Sequence, residues 1–224
     1  MNRLLGSTVL VVNGQPVPDL VILPDPILDP AQPVITWAPV EGGVDIDVST
    51  SLSGGVPMFE RRQLVVECAL VSGETLWDAR RRLSEAWQGQ QLKVSFEETP
   101  GRHLLGRCTL SDWSWPGKGE AVLFKFILDA DPYLYDDTPT RVSVAGVAAP
   151  GAPFTLTPTG YPVMPSTTVT GADVTIIAGG KQTPVPVGVT DWVDGLLLQP
   201  GIPVSGVIIG TGTAAFLWTG GTPG

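Results

Sequence analysis

Along most of this chain apolar residues return at every second position, the period of a half-buried β-strand. The stretch QLVVECALV at residues 63–71 is the clearest case. Leu64, Val66, Cys68 and Leu70 share one face, and Val65, Ala69 and Val71 make the other mostly apolar, as a central strand requires. Residues 91–97 turn Leu92, Val94 and Phe96 inward, and residues 103–113 form the next strand. After a turn at Pro116-Gly117-Lys118-Gly119, residues 120–130 (EAVLFKFILDA) align Val122, Phe124, Phe126 and Leu128. One segment changes period. TLWDARRRLSEAW at 75–87 sets Leu76, Ala79, Leu83, Ala86 and Trp87 on one helical stripe, leaving Asp78, Arg80, Arg81 and Glu85 outside it. Thr75 is a suitable N-cap, Asp78 completes a pair resembling a capping box, and Gly89 closes the helix. Trp77 and Trp87, ten positions apart, are placed near the same face, in the core.

The N-terminal stretch reads differently. Residues 8–12 and 19–23 form two short strands around Asn13-Gly14, a strong hairpin pair, with Pro16 and Pro18 making the second arm an edge. Residues 24–59 read as irregular, because Pro24, Pro26, Pro30, Pro33, Pro39 and Pro57 deny them a ladder of backbone donors. Within them residues 44–48 alternate apolar positions with Asp45 and Asp47, which suits a strand of an extended arm. That arm is either a surface loop or an extension onto a neighbouring subunit. Its apolar tips, Ile35, Trp37, Val44 and Ile46, bury too little alone to fix its conformation.

From Thr138 onward charge nearly vanishes: after Arg141 only Asp173, Lys181, Asp191 and Asp194 carry it. Short apolar runs at 154–156, 166–169, 174–177, 185–189, 195–198, 204–209 and 214–218 recur at roughly 8–12 residues, the spacing of an all-β sandwich. The reading is therefore mainly β. An N-terminal β-sandwich with one α-helix occupies residues 1–136, with the irregular arm at 24–59. A C-terminal all-β, jelly-roll-like sandwich occupies 137–224.

Composition narrows the function. The 224 residues are 43% hydrophobic and 16% charged, with 27 glycines and 22 prolines scattered without a period. This is enough apolar surface for a sizeable core and excludes a collagen-like repeat. A formal net charge of −9 and only four lysines oppose nucleic-acid binding, which draws its affinity from basic residues on phosphates. No run reaches the ~20 apolar residues of a membrane span, and the start MNRLLGSTVLVVNGQ is too interrupted for a signal peptide. A soluble chain made in the cytosol is expected. Cys68 and Cys108, both facing the core, suit buried thiols or, failing that, one structural disulfide.

Candidate chemistry is sparse. His103 is the single histidine, which leaves no His-rich metal site. A Ser–His–Asp triad would have to use it, and there is no GxSxG elbow. A glycosidase needs two convergent carboxylates. Glu97 and Glu98 are neighbours on a strand and point apart. Asp129, Asp131, Asp136 and Asp137 cluster at a strand end, as solvated turn residues or a weak calcium site. Gly42-Gly43, Gly54-Gly55, Gly179-Gly180 and Gly220-Gly221 have neither GxxxxGKS/T nor GxGxxG around them. Seven tryptophans could stack sugars. Trp113 and Trp115 alternate outward from one strand end, while Trp37, Trp192 and Trp218 fall in loops or short strands. Core and subunit-contact roles account better for the set. No catalytic, cofactor-binding or metal-binding residue is assigned.

One ordered pattern goes further. A short strand pair and a proline-rich segment precede ERRQLVVECALV, opened by Arg61-Arg62. GETLWDARRRLSEAW, a strand, PGRHLLGRCTLSDW and EAVLFKFILDADPYLYD follow. In this order the first 135 residues resemble the N-terminal domain of siphovirus (phage) distal tail proteins. The second half is similar, by position and composition, to that family's variable C-terminal β-sandwich. The resemblance implies a structural virion protein without enzymatic activity or cofactor, located at the tail tip and assembled in the host cytoplasm. It implies a hexameric ring that meets the tail tube protein, the tape measure protein and the tail-associated baseplate protein, with DNA passing through. Acidic residues such as Asp25, Asp29, Asp45 and Asp47, if they line that lumen, would repel DNA from its wall. The alternatives are a tail tube or tail-terminator protein, a carbohydrate-binding module at the tail tip, and a hydrolase using carboxylates alone.

Overall fold

The computed structural model describes residues 2–3, 9–23, 26–41, 43–51, 57–97, 100–117, 121–157 and 160–223. The fold is mainly β, its sheets antiparallel and consistent with a β-sandwich, with a single α-helix among the described residues. The chain divides into two compact units, residues 1–135 with 223–224 and residues 136–222.

In the first unit the strands are β1 (Asn2–Arg3), β2 (Leu10–Val12), β3 (Gln15–Pro16), β4 (Leu20–Ile22), β5 (Ile27–Leu28), β6 (Trp37–Ala38) and β7 (Ile46–Asp47). After these come β8 (Arg62–Leu70), α1 (Leu76–Trp87), β9 (Gln91–Phe96), β10 (Arg102–Ser114), β11 (Val122–Ala130) and β12 (Tyr133–Asp136). The main sheet runs β1-β5-β8-β11-β10-β9-β2-β3. Its centre is β8 against β11, in register from Arg62↔Ala130 to Leu70↔Val122. The inward residues are those that the alternation predicts: Leu64, Val66, Cys68, Leu92, Val94, Phe96, Phe124, Phe126 and Leu128 are all buried.

The helix connects β8 to β9, which lie on either side of the β11-β10 pair. It therefore crosses the face of those strands, burying Ala79, Leu83 and Trp87. The Trp87 ring meets Phe126 edge-on at 5.7 Å. Thr75 caps the helix, its hydroxyl accepting the Asp78 N–H, and Gly89 takes the left-handed conformation (φ 72°) just past the end. One stripe assignment and one core assignment are corrected. Ala86 is exposed, and Trp77 is 72% exposed rather than in the core. At 100° per residue Trp77 lies a quarter-turn from Leu76, outside the Ala79–Leu83–Trp87 line.

The N-terminal hairpin also differs from the sequence reading. Asn13 (φ 52°) and Gly14 (φ 77°) make a tight turn, but Val12 pairs with Gln15, so the returning strand is β3. Residues 20–22, expected to be its second arm, instead pair with Cys68–Leu70 of β8. β8 has one edge occupied by β11 and offers the other to β4 and, further along, to β5. Backbone donors without a partner drive this choice. Thr8, where the first strand was expected to start, lies outside the described residues, as do Lys118, Gly119 and Glu120 of the predicted β10–β11 connection.

The segment read as irregular is partly ordered. β6 and β7 form a two-stranded ribbon with Trp37 opposite Asp47 and Ala38 opposite Ile46. Thr36 and Val48 extend it by a backbone hydrogen bond of 2.9 Å, and an antiparallel bridge joins Pro33 to Phe59 near its root. Pro39 and Pro57 lie outside β6 and β7, and at the bridge the backbone bonds run from Val34 N–H to Met58 and from Glu60 N–H to Gln32, so Pro33 needs no N–H.

The second unit is a sandwich of two four-stranded antiparallel sheets. Its strands are β13 (Thr140–Ala145), β14 (Ala152–Leu156), β15 (Ser166–Thr170), β16 (Val174–Ala178), β17 (Lys181–Val185), β18 (Gly188–Thr190), β19 (Val204–Gly210) and β20 (Thr213–Trp218); a last short strand, β21 (Gly221–Pro223), belongs to neither sheet. One sheet runs β13-β20-β15-β18 and the other β14-β19-β16-β17. Phe154 from one meets Phe216 from the other with ring centroids 4.9 Å apart. The predicted run 185–189 is divided between the sheets: Val185 pairs with Val174, whereas Val189 pairs with Thr168. The run 195–198 is not a regular strand but a loop that buries Leu196 and Leu198 in the core. β13, with only half-buried Val142 and Val144 on its inner face, went unpredicted because its apolar signal is weak.

Candidate functional site

The residues that could carry chemistry are spread out or already occupied. His103, the second residue of β10, is half-buried, its ring 5.8 Å from that of Tyr135. Glu97 is exposed, and Glu98 lies outside the described residues. Two of the four acids in the cluster, Asp129 and Asp131, are held by arginine. Arg61 reaches Asp129 at 3.3 Å and Asp131 at 3.6 Å, and Tyr135 donates its hydroxyl to Asp131. Among the described residues no group of three or more His, Cys, Asp or Glu is placed to hold a metal. Cys68 and Cys108 are free and fully buried, and burial pushes each thiol up to about 12. Such thiols are inert as nucleophiles.

The surface clefts are open and shallow. One of about 440 Å³ is lined by Asp29, Gln32, Glu60, Arg61, Arg62 and Asp129. Arg62 was missed by sequence reasoning. It occupies an inward position of β8, is 4% exposed, and none of its guanidinium nitrogens has a hydrogen-bond partner. Burial lowers its proton affinity below the ordinary arginine value. The signal was present in the sequence: with Leu64, Val66 and Cys68 inward, position 62 falls on the same face.

The tryptophans sort by environment. Trp113, expected to point outward beside Trp115, stacks on Phe124 at 4.7 Å and packs against the core. The cause is a register shift between Ser111 and Ser114, with Asp112 at φ 53°, which moves Trp113 to the inner face. Trp218 is core. Trp192 is exposed and donates its indole N–H to Asp194. Trp37 is exposed on the ribbon.

That ribbon is the most exposed apolar feature of the first unit. Ile35, Trp37, Val44, Ile46 and Met58 are each at least half exposed, Val44 at 88%. Trp37 and Ile46 lie on opposite faces, because Trp37 pairs with Asp47 and Ala38 with Ile46. The ribbon is thus open to solvent on both sides. Asp45 and Asp47 follow the Trp37 face. The Asp47 carboxylate accepts from the Ser49 N–H and hydroxyl, which hold it below the usual carboxylate range. Of the other expected lumen acids, Asp29 lines the cleft above, and Asp25 lies outside the described residues. So do Gly42, Gly54 and Gly55. No helix among the described residues is long and apolar enough to cross a membrane.

This arrangement offers surfaces for contact, with no convergent set of reacting groups among the described residues. Its fold has a counterpart. The chain is similar in structure to the Dit protein of phage SPP1. The TM-score is 0.60 at 14% identity, over 94% of this chain and 98% of the other. That protein is described as a paradigm of the hub adsorption apparatus in phages that infect Gram-positive bacteria. At this identity the likeness is one of fold, and it extends over nearly the whole of both chains. No family model matches the sequence, and no curated protein matches it.

Proposed function

We propose that this chain is a structural protein of a long non-contractile phage tail: a distal tail protein whose copies close into a ring, six in number. The ring joins the tail tube to the baseplate or tip. The observation that carries the reading is the shared fold with a phage hub protein over 94% of the chain. The exposed ribbon adds to it, since a two-stranded ribbon open on both faces is marginal alone and gains its stability from a partner. The tail tube protein, the tail-associated baseplate protein and the tape measure protein are the expected neighbours. No catalytic step is assigned.

A ring forms when one patch on a copy meets a different patch on the next and the rotation closes. Each copy brings −9, so DNA crosses the lumen without the counterion release that makes protein stick to phosphate. Mass in solution joined to negative-stain images tests the proposal. The expected result is a closed ring with a central hole; a particle that stays monomeric at every concentration, and is absent from the tail tip, ends it.

A further inference from the structure

The ribbon and α1 carry exposed surfaces that match each other and whose charges have only local contacts, Asp47 with Ser49 on the ribbon and Arg81 with Asp78 on the helix. On the ribbon, Ile35 and Trp37 share a face with Asp45 and Asp47, by the register that sets Trp37 opposite Asp47. On the first half of α1, Trp77 is 72% exposed, with Arg80 and Arg81 at the three- and four-residue spacings that place them beside it. Arg80 has no ion-pair partner among the described residues. Arg81 makes one exposed contact with Asp78 at 3.3 Å, a pairing weak enough to be exchanged. Arg82, by contrast, is committed to Glu74 through two hydrogen bonds of 3.1 and 2.9 Å. One surface is therefore aromatic and acidic, the other aromatic and basic. Tryptophan and arginine are also the side chains that most often dominate binding energy at protein interfaces.

In one copy the two surfaces attach to opposite ends of β8. The ribbon leads into the Arg62 end of β8, and α1 follows the Leu70 end. Nine extended residues separate these ends by roughly 26 Å. Within the sheets β6 and β7 pair only with each other.

We propose that the ribbon of one copy docks on the first half of α1 of a second copy, Trp37 against Trp77 and Asp45 and Asp47 against Arg80 and Arg81. This rests on the ring reading above and names its contact. The two patches differ, so the contact is head-to-tail and repeats around a closed ring. It also takes Asp45 and Asp47 off the lumen wall and into the joint between copies.

Charge exchange tests it on the full chain. Arg80→Glu with Arg81→Glu should weaken association at least about tenfold, as should Asp45→Arg with Asp47→Arg, both leaving the thermal melt of the monomer unchanged. Mixing the two variants should recover rings, because each helix then meets a ribbon of opposite charge. Combining all four changes in one chain should recover them too. If the wild type forms rings and both variants do so equally well, this docking is wrong, and the ribbon and helix face another tail protein. If the variants are folded monomers that neither mixing nor combination rescues, it is also wrong. A wild type that never leaves the monomer overturns the ring reading itself, and this contact with it.

Discussion

Arg62 shows how one residue can work against its surroundings. A guanidinium removed from water without hydrogen bonds carries a desolvation cost of several kcal/mol. Methionine keeps an unbranched apolar stem of similar reach and removes the charge. Arg62→Met is therefore expected to leave the melting temperature of the first unit unchanged or raise it by a few degrees, measured by calorimetry. A marked drop would show that the guanidinium has a partner in solution. The buried thiols act through pH. Their ionisation lies near 9 when exposed and about 12 in the fold. Below pH 9 folded and unfolded chains hold these protons alike. Above it the unfolded chain releases them while the folded chain keeps them, so stability falls as pH rises from 9 towards 12. Denaturant titrations across that range should show the decline, and Cys68→Ala with Cys108→Ala should flatten its slope even if it lowers stability overall.

At the scale of elements, α1 depends on its first turn. Thr75 satisfies the Asp78 N–H, and losing such a cap costs about 1 kcal/mol. Thr75→Ala should lower the melting temperature of the first unit by roughly 3–5 °C, with the helix retained in circular dichroism. In the second unit Gly206 sits in register between Phe154 and Ala178, and a Cβ there would run into the Ile177 carbonyl and the Phe154 ring. Gly206→Val should break the Phe154–Phe216 contact between the sheets and destabilise that unit without shifting the melt of the first. The ribbon behaves differently. Removing residues 30–55 deletes exposed apolar side chains and a sheet that pairs with nothing else, so a folded chain should remain, unable to form rings. Rings that survive the deletion would falsify the assembly role of the ribbon.

For the whole molecule, two separate apolar cores imply two cooperative units. We propose residues 1–136 and 137–224 as the domains, which predicts limited proteolysis near residue 137 and two calorimetric transitions.

The sequence by itself determined the elements whose residues repeat with a clean period. β8, β9, β11 and α1 were legible because burial of one face demands apolar residues at fixed intervals, and that demand is local. It also marked the ribbon, through apolar tips on a segment too proline-rich to be core. Only the tertiary structure decided which edges pair. β4 leaves its hairpin for β8 because the free donors it must satisfy lie some fifty residues away, a fact no local pattern records. Tertiary context likewise turned Trp113 inward at a bulge in β10 where it pairs with β11. For β4 and for Trp113 the deciding contact came from another strand, which no local pattern records.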